Sequence, residues 1–173
     1  MNQNNQIKKV KGLLLFFIIS LFLSGATALP IDRELSFLLG FVPPHSVAGV
    51  WGAKVLHAYQ LVQQQYPFLL YGYDWLAFAH FVLAILFIGP YNNPVKNSWV
   101  IQFGLIACVL IIPFAMLAGQ FRGIPFWWRL IDCSFGIFGF AVLWPCYRYA
   151  KCAVKQSQGP TLQTHSKTLF PTT

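Results

Sequence analysis

The sequence predicts an all-α fold, a polytopic integral membrane bundle of four transmembrane helices, and three observations predict it. Hydrophobic residues make up 57% of the 173-residue chain and charged residues only 9%, where an ordinary globular domain carries about 25% charge. Aromatic residues reach 17% and gather at the ends of the apolar runs. The runs match the roughly 20 helical residues that cross a hydrocarbon core about 30 Å thick. Lipid offers no partner to an open backbone, so such runs must be helices or strands of a closed barrel. The period-two alternation of barrel strands is missing from them. With a mean hydropathy of +0.58, this composition excludes a water-soluble enzyme, a disordered tail and a DNA-binding module.

The elements follow in order. Residues 1–11 form a basic N-terminus carrying Lys8, Lys9 and Lys11. Residues 12–29 are the first span, whose apolar run over 13–23 is broken only by Ser20. The same stretch has a second reading. A basic segment, an apolar segment and the small-residue triplet Ala26-Thr27-Ala28 have the layout of a signal peptide. Cleavage after Ala28 would leave three spans. Residues 30–73 form an external region in which Asp32, Arg33 and Glu34 precede an apolar stretch stopped by Pro43 and Pro44. Beyond it, Val47, Trp51, Val55, Ala58 and Val62 recur at helical spacing, which predicts an amphipathic helix. Such a helix either lies along the outer membrane surface or packs on the tops of the spans.

Residues 74–91 are the second span, with Trp75 and Tyr91 as its aromatic ends. A turn rich in Asn and Pro over 92–98 leads into the third span, 99–118, where Pro113 is expected to kink the helix and free the Val109 carbonyl. The short loop 119–125 makes the third and fourth spans an antiparallel hairpin. The fourth span covers 126–149, and residues 150–173, rich in Ser, Thr, Gln and Pro, are expected to be a disordered cytoplasmic tail. Small residues let helices approach closely in lipid, so Gly104 and Ala107 on the third span and Ser134, Gly136 and Gly139 on the fourth predict the seam between them.

The net charge of +8 reads as a topology signal. With the N-terminus inside, Lys8, Lys9, Lys11, Lys96, Arg148, Lys151, Lys155 and Lys167 are cytoplasmic, against Arg33, Lys54, Arg122 and Arg129 outside. Both termini are then cytoplasmic if the first segment is retained. The layout is that of a multi-pass protein of a cell membrane, expected to be a bacterial inner membrane.

Chemistry is sparse. No G-x-S-x-G, H-E-x-x-H, P-loop or G-x-G-x-x-G occurs, so no catalytic residue is assigned. The four cysteines form neither a C-x-x-C nor a zinc pattern, and they read as small buried hydrophobes without disulfides. No metal and no cofactor is expected; a haem would find one axial ligand at most, His80. The ionisable groups near the spans do form a candidate polar cluster of Asp74, His80, Arg122, Arg129 and Asp132. Charges in a membrane span are costly and mostly face protein or water. In the predicted orientation Asp74 and Arg129 stand at the outer boundary. Asp132 is then about 4–5 Å deeper and His80 about 9 Å deeper. Two readings follow. Arg129 and Asp132, three apart on one helix, form an interfacial ion pair that orients the fourth span. Alternatively the five groups converge in an outward-facing pocket where His80 titrates near neutral pH.

The function expected from this layout is an accessory or binding component of the membrane, with a small transporter or proton-coupled protein as the alternative. No nucleophile, metal set or acid–base pair supports an enzyme. The partners expected are the lipid bilayer and either a membrane protein or a second copy of the chain, with no nucleic acid.

Overall fold

The computed structural model describes residues 3–158. Residues 159–173 of the expected tail, with Lys167, lie outside the described residues. Every described element is helical: α1 (Gln3–Ala28), α2 (Ile31–Leu39), α3 (Val47–Gln65), a 3-10 turn (Pro67–Leu70), α4 (Tyr71–Leu86), α5 (Ile88–Asn92), α6 (Ser98–Phe121) and α7 (Phe126–Gln158). Four stretches are long and apolar enough to cross a membrane, namely Asn5–Ala28, Pro67–Asn92, Ser98–Phe121 and Phe126–Ala153. The chain is an all-α, multi-pass membrane protein.

Three boundaries differ from the sequence reading, each for a local reason. α1 begins at Gln3, ahead of the apolar run, because the Gln and Lys residues there are good helix formers. The second span is interrupted at Phe87, between α4 and α5. Pro90 has no N–H for the Leu86 carbonyl and its ring crowds that group, so the ladder breaks and resumes with Tyr91 N–H donating to the Phe87 carbonyl at 3.1 Å. α7 runs past Tyr149 to Gln158, so the first part of the expected disordered tail is helix. Ala150, Lys151 and Ala153 favour helix, and nothing before Gly159 ends it.

The chain forms two packing units, one of Ile19–Ile85 and one that joins the residues up to Ile18 with those from Leu86 onward. Within the first, the end of α1 lies against α4. A Cβ on Gly25 would stand 2.8 Å from the Ala77 carbonyl oxygen, and the Phe22 and Phe81 rings are 5.1 Å apart. The stretch after α1 folds as the predicted α3 preceded by α2. Ser46 caps α3 by accepting from Gly49 N–H at 3.0 Å, and its hydroxyl donates to the Pro43 carbonyl at 2.7 Å. Gly52 leaves room for Leu39 of α2, so α2 packs against α3.

In the second unit α6 and α7 run antiparallel over much of their length. The contacts descend in register: Gly104 meets Leu143, Cys108 meets Gly139 and Gly136, the Ile112 carbonyl receives the Cys133 thiol, and Gly119 meets Arg129. A Cβ on Gly136 would stand 2.5 Å from the Cys108 carbonyl oxygen, and one on Gly139 would stand 2.7 Å from the Cys108 sulfur. Both glycines therefore lie in the seam as predicted, while Ser134 is exposed and donates to the Ile131 carbonyl of its own helix. α1 completes the unit, with Phe16 against Phe138, Phe17 against Phe87 and the Cys146 thiol directed at the Val10 carbonyl.

Large apolar side chains point outward instead. Phe114, Phe135 and Ile137 are 73%, 66% and 61% exposed, and no polar or charged residue is buried among those described. A soluble monomer rarely tolerates so much open apolar surface, but a helix bathed in lipid requires it. The seam then makes a clear prediction. Gly136→Leu should push α6 from α7 and lower stability by about 1–3 kcal/mol in a detergent unfolding titration. The outward Ile137→Leu on the same helix should change it by less than about 0.5 kcal/mol.

Candidate functional site

The five groups of the predicted cluster fall in both packing units. Asp74 and His80 lie on α4. Six residues correspond to about 240° of rotation on a helix, so the two project from different faces. Asp74 is exposed, and with Tyr71, Trp75 and Phe78 it lines a shallow hollow of about 280 Å³. The acid also acts at a distance on α3. Tyr59 has its phenol pushed above the usual range, first by burial and then by the negative charges of Asp32 and Asp74. His80 Nδ1 is 2.8 Å from the Leu76 carbonyl, which can only accept, so the ring donates back to its own helix.

Arg122, Arg129 and Asp132 belong to the α6–α7 unit, where the backbone explains what the arginines do. α6 ends in a paired closure: Gly123 N–H donates to the Gln120 carbonyl at 3.2 Å, and Ile124 N–H donates to the Gly119 carbonyl at 2.9 Å. That geometry needs a left-handed residue after the helix, and Gly123 supplies it at φ 67°. Arg122 sits at the end of α6 as an exposed side chain. Arg129 reaches back from the first turn of α7 to bind the closure. Its Nε donates to the Ile124 carbonyl at 2.9 Å, its Nη1 donates to Gln120 Oε1 at 2.7 Å, and its methylenes cover Gly119.

Neither hydrogen bond of Arg129 goes to Asp132. The guanidinium is a tie between two spans, and the ion pair expected from the three-residue spacing is replaced by contacts across the turn. Sequence spacing brings Asp132 within reach, but the guanidinium finds its acceptors in the Ile124 carbonyl of the turn and the side-chain oxygen of Gln120. Among the described residues no group of three His, Cys, Asp or Glu side chains is placed to hold a metal ion. All four cysteines are free thiols.

The sequence reading did not find a different feature, at the other end of the α6–α7 unit. A groove of about 510 Å³ lies between the start of α1 and the end of α7. Val10, Leu13, Trp144 and Pro145 line it together with Lys9, Arg148 and Tyr149. Nearby cations rest on aromatic faces: Lys11 Nζ lies 5.6 Å from the Tyr91 ring centre and Lys151 Nζ 5.5 Å from that of Tyr147. Lys9 and Arg148 are exposed, with no hydrogen-bond, ion-pair or ring partner among the described residues. Residues 9 and 148 are far apart in the chain, and only the packing of α1 on α7 brings them together.

No protein-family model, curated protein or solved structure matches this chain.

The arrangement at Arg129 separates two variants that the sequence treats alike. Arg129→Ala should remove charge-assisted hydrogen bonds worth about 1.5–3 kcal/mol each and loosen the α6–α7 turn. Asp132→Asn should shift stability by less than about 1 kcal/mol. Unfolding midpoints of the two purified variants in one detergent check this, and equal losses would restore the ion pair.

Proposed function

We propose that this chain is an accessory or binding component of a cell membrane, expected to be a bacterial inner membrane, and that it engages a protein partner through α2 and the start of α3. The observation that carries this reading is the open apolar surface there. Phe37, Phe41 and Val47 are 68%, 75% and 75% exposed, with Leu38 and Val50 beside them, although neither helix is among the membrane-crossing stretches. The Phe37 and Phe41 rings pack edge to face 5.0 Å apart and make a ready anchor. Aromatic anchors in a polar surround are what protein interfaces use. The rigid support fits as well, since α2 is seated on α3 through Gly52 and α3 is capped by Ser46.

The partner is a second membrane protein or another copy of this chain. The orientation that goes with this reading places both termini in the cytoplasm and α2–α3 outside, following the excess of Lys and Arg at the chain ends. Less supports the transporter alternative. Of its five groups, Arg129 is engaged by the α6–α7 turn and His80 by the Leu76 carbonyl.

A photo-crosslinking residue at Phe41 tests the contact in intact membranes. It should give one discrete protein adduct that the variant Phe37→Ser, with the same crosslinker, reduces at least about fivefold, since each such anchor contributes more than about 1 kcal/mol. Crosslinks to lipid alone would overturn the reading. Reporter fusions after Asn93 and after Gly159 should both signal cytoplasm, and an external signal at either would reverse the orientation.

A further inference from the structure

We propose that the groove between the start of α1 and the end of α7 is a binding site for an anionic glycerophospholipid. In it the phosphodiester lies between Lys9 and Arg148, and an acyl chain runs along Val10, Leu13 and Trp144. Position, shape and charge support this independently of the partner surface. The groove joins the first residues of the Asn5–Ala28 span to the last of the Phe126–Ala153 span, so it opens where headgroups meet hydrocarbon. Its volume of about 510 Å³ has an apolar floor and a basic rim, which is the division within a phospholipid itself. A second hollow of about 200 Å³ continues it past Trp144 and Arg148 toward Lys151.

Charge selects among lipids. The chain's four acids are Asp32, Glu34, Asp74 and Asp132, and none lies on this stretch of α1 or α7. Lys9 and Arg148 thus face the groove with no counter-charge from the described residues, while Lys11 and Lys151 are occupied by aromatic rings. A zwitterionic headgroup would bring its own ammonium against two cations. Phosphatidylglycerol brings only a negative phosphodiester and hydroxyls, and Trp144, 44% exposed, and Tyr149 have the amphipathic rings favoured at headgroup depth.

The test is native mass spectrometry of the full chain in mild detergent with equimolar phosphatidylglycerol and phosphatidylcholine. Two cations near the headgroup should favour the anionic lipid by about 30-fold. Lys9→Gln with Arg148→Gln should bring the ratio near one, whereas Lys9→Arg with Arg148→Lys should keep it. Removing the same charge outside the groove, by Lys8→Gln with Lys96→Gln, should leave it within about twofold. A ratio near one for the unaltered chain overturns the proposal whether or not the groove variant is recovered. An equal collapse with Lys8→Gln and Lys96→Gln also overturns it, because the preference would then be a diffuse surface effect.

Discussion

The close approach of α6 and α7 at Cys108 is the contact on which the rest of the larger packing unit depends. Two glycines on α7 meet one residue of α6, and Gly136 lies so close to the Cys108 carbonyl that no side chain fits between them. In lipid the apolar faces of two helices gain little from leaving their solvent. Association must come from contact itself, and small residues maximise it. Once the axes are that near, the flanking pairs follow in register, Gly104 against Leu143 on one side and Cys133 against Ile112 on the other. α1 then uses the same stretch of α7, with Phe17 beside Gly139 and Val10 beside Cys146.

The scarce polar groups are spent mostly on the backbone. Arg129 ties down the Ile124 carbonyl of the α6–α7 turn and the side-chain oxygen of Gln120. His80 binds the Leu76 carbonyl, and Asn97 Nδ2 holds the Gly89 and Asn93 carbonyls, at 3.0 and 3.1 Å, across the turn between α5 and α6. In a low-dielectric surround an unsatisfied carbonyl is expensive, and at these two turns a side chain supplies a donor. A charge that looks like a site in one dimension can be a structural tie in three. What is left exposed is more informative about function: an apolar pair on α2, and two cations beside a groove at the end of α7.

Much of the fold was legible in the residues. The run of 13–23, the aromatic ends of the later spans and the Gly119–Pro125 turn marked four helices and one hairpin, and Gly136 and Gly139 marked the seam. The Val47-to-Val62 spacing marked α3. The misses have local causes. Pro90 falls within the predicted second span, and its effect on the Leu86 carbonyl four residues earlier breaks that span at Phe87. The composition of the tail masked the helix-forming residues that carry α7 to Gln158. Spacing alone pairs Arg129 with Asp132, because the turn that claims the guanidinium forms only when α6 has closed on Gly123.

The sequence by itself therefore determined the class of the protein, the number of long apolar helices and the residues small enough to join two of them. These depend on sums and periodicities within one segment, and lipid permits little besides a helix for such segments. The tertiary structure alone decided which partner each polar side chain takes and which distant residues share a surface. Those outcomes depend on how each helix is rotated about its axis, which is set by packing between segments more than a hundred residues apart, as with Lys9 and Arg148.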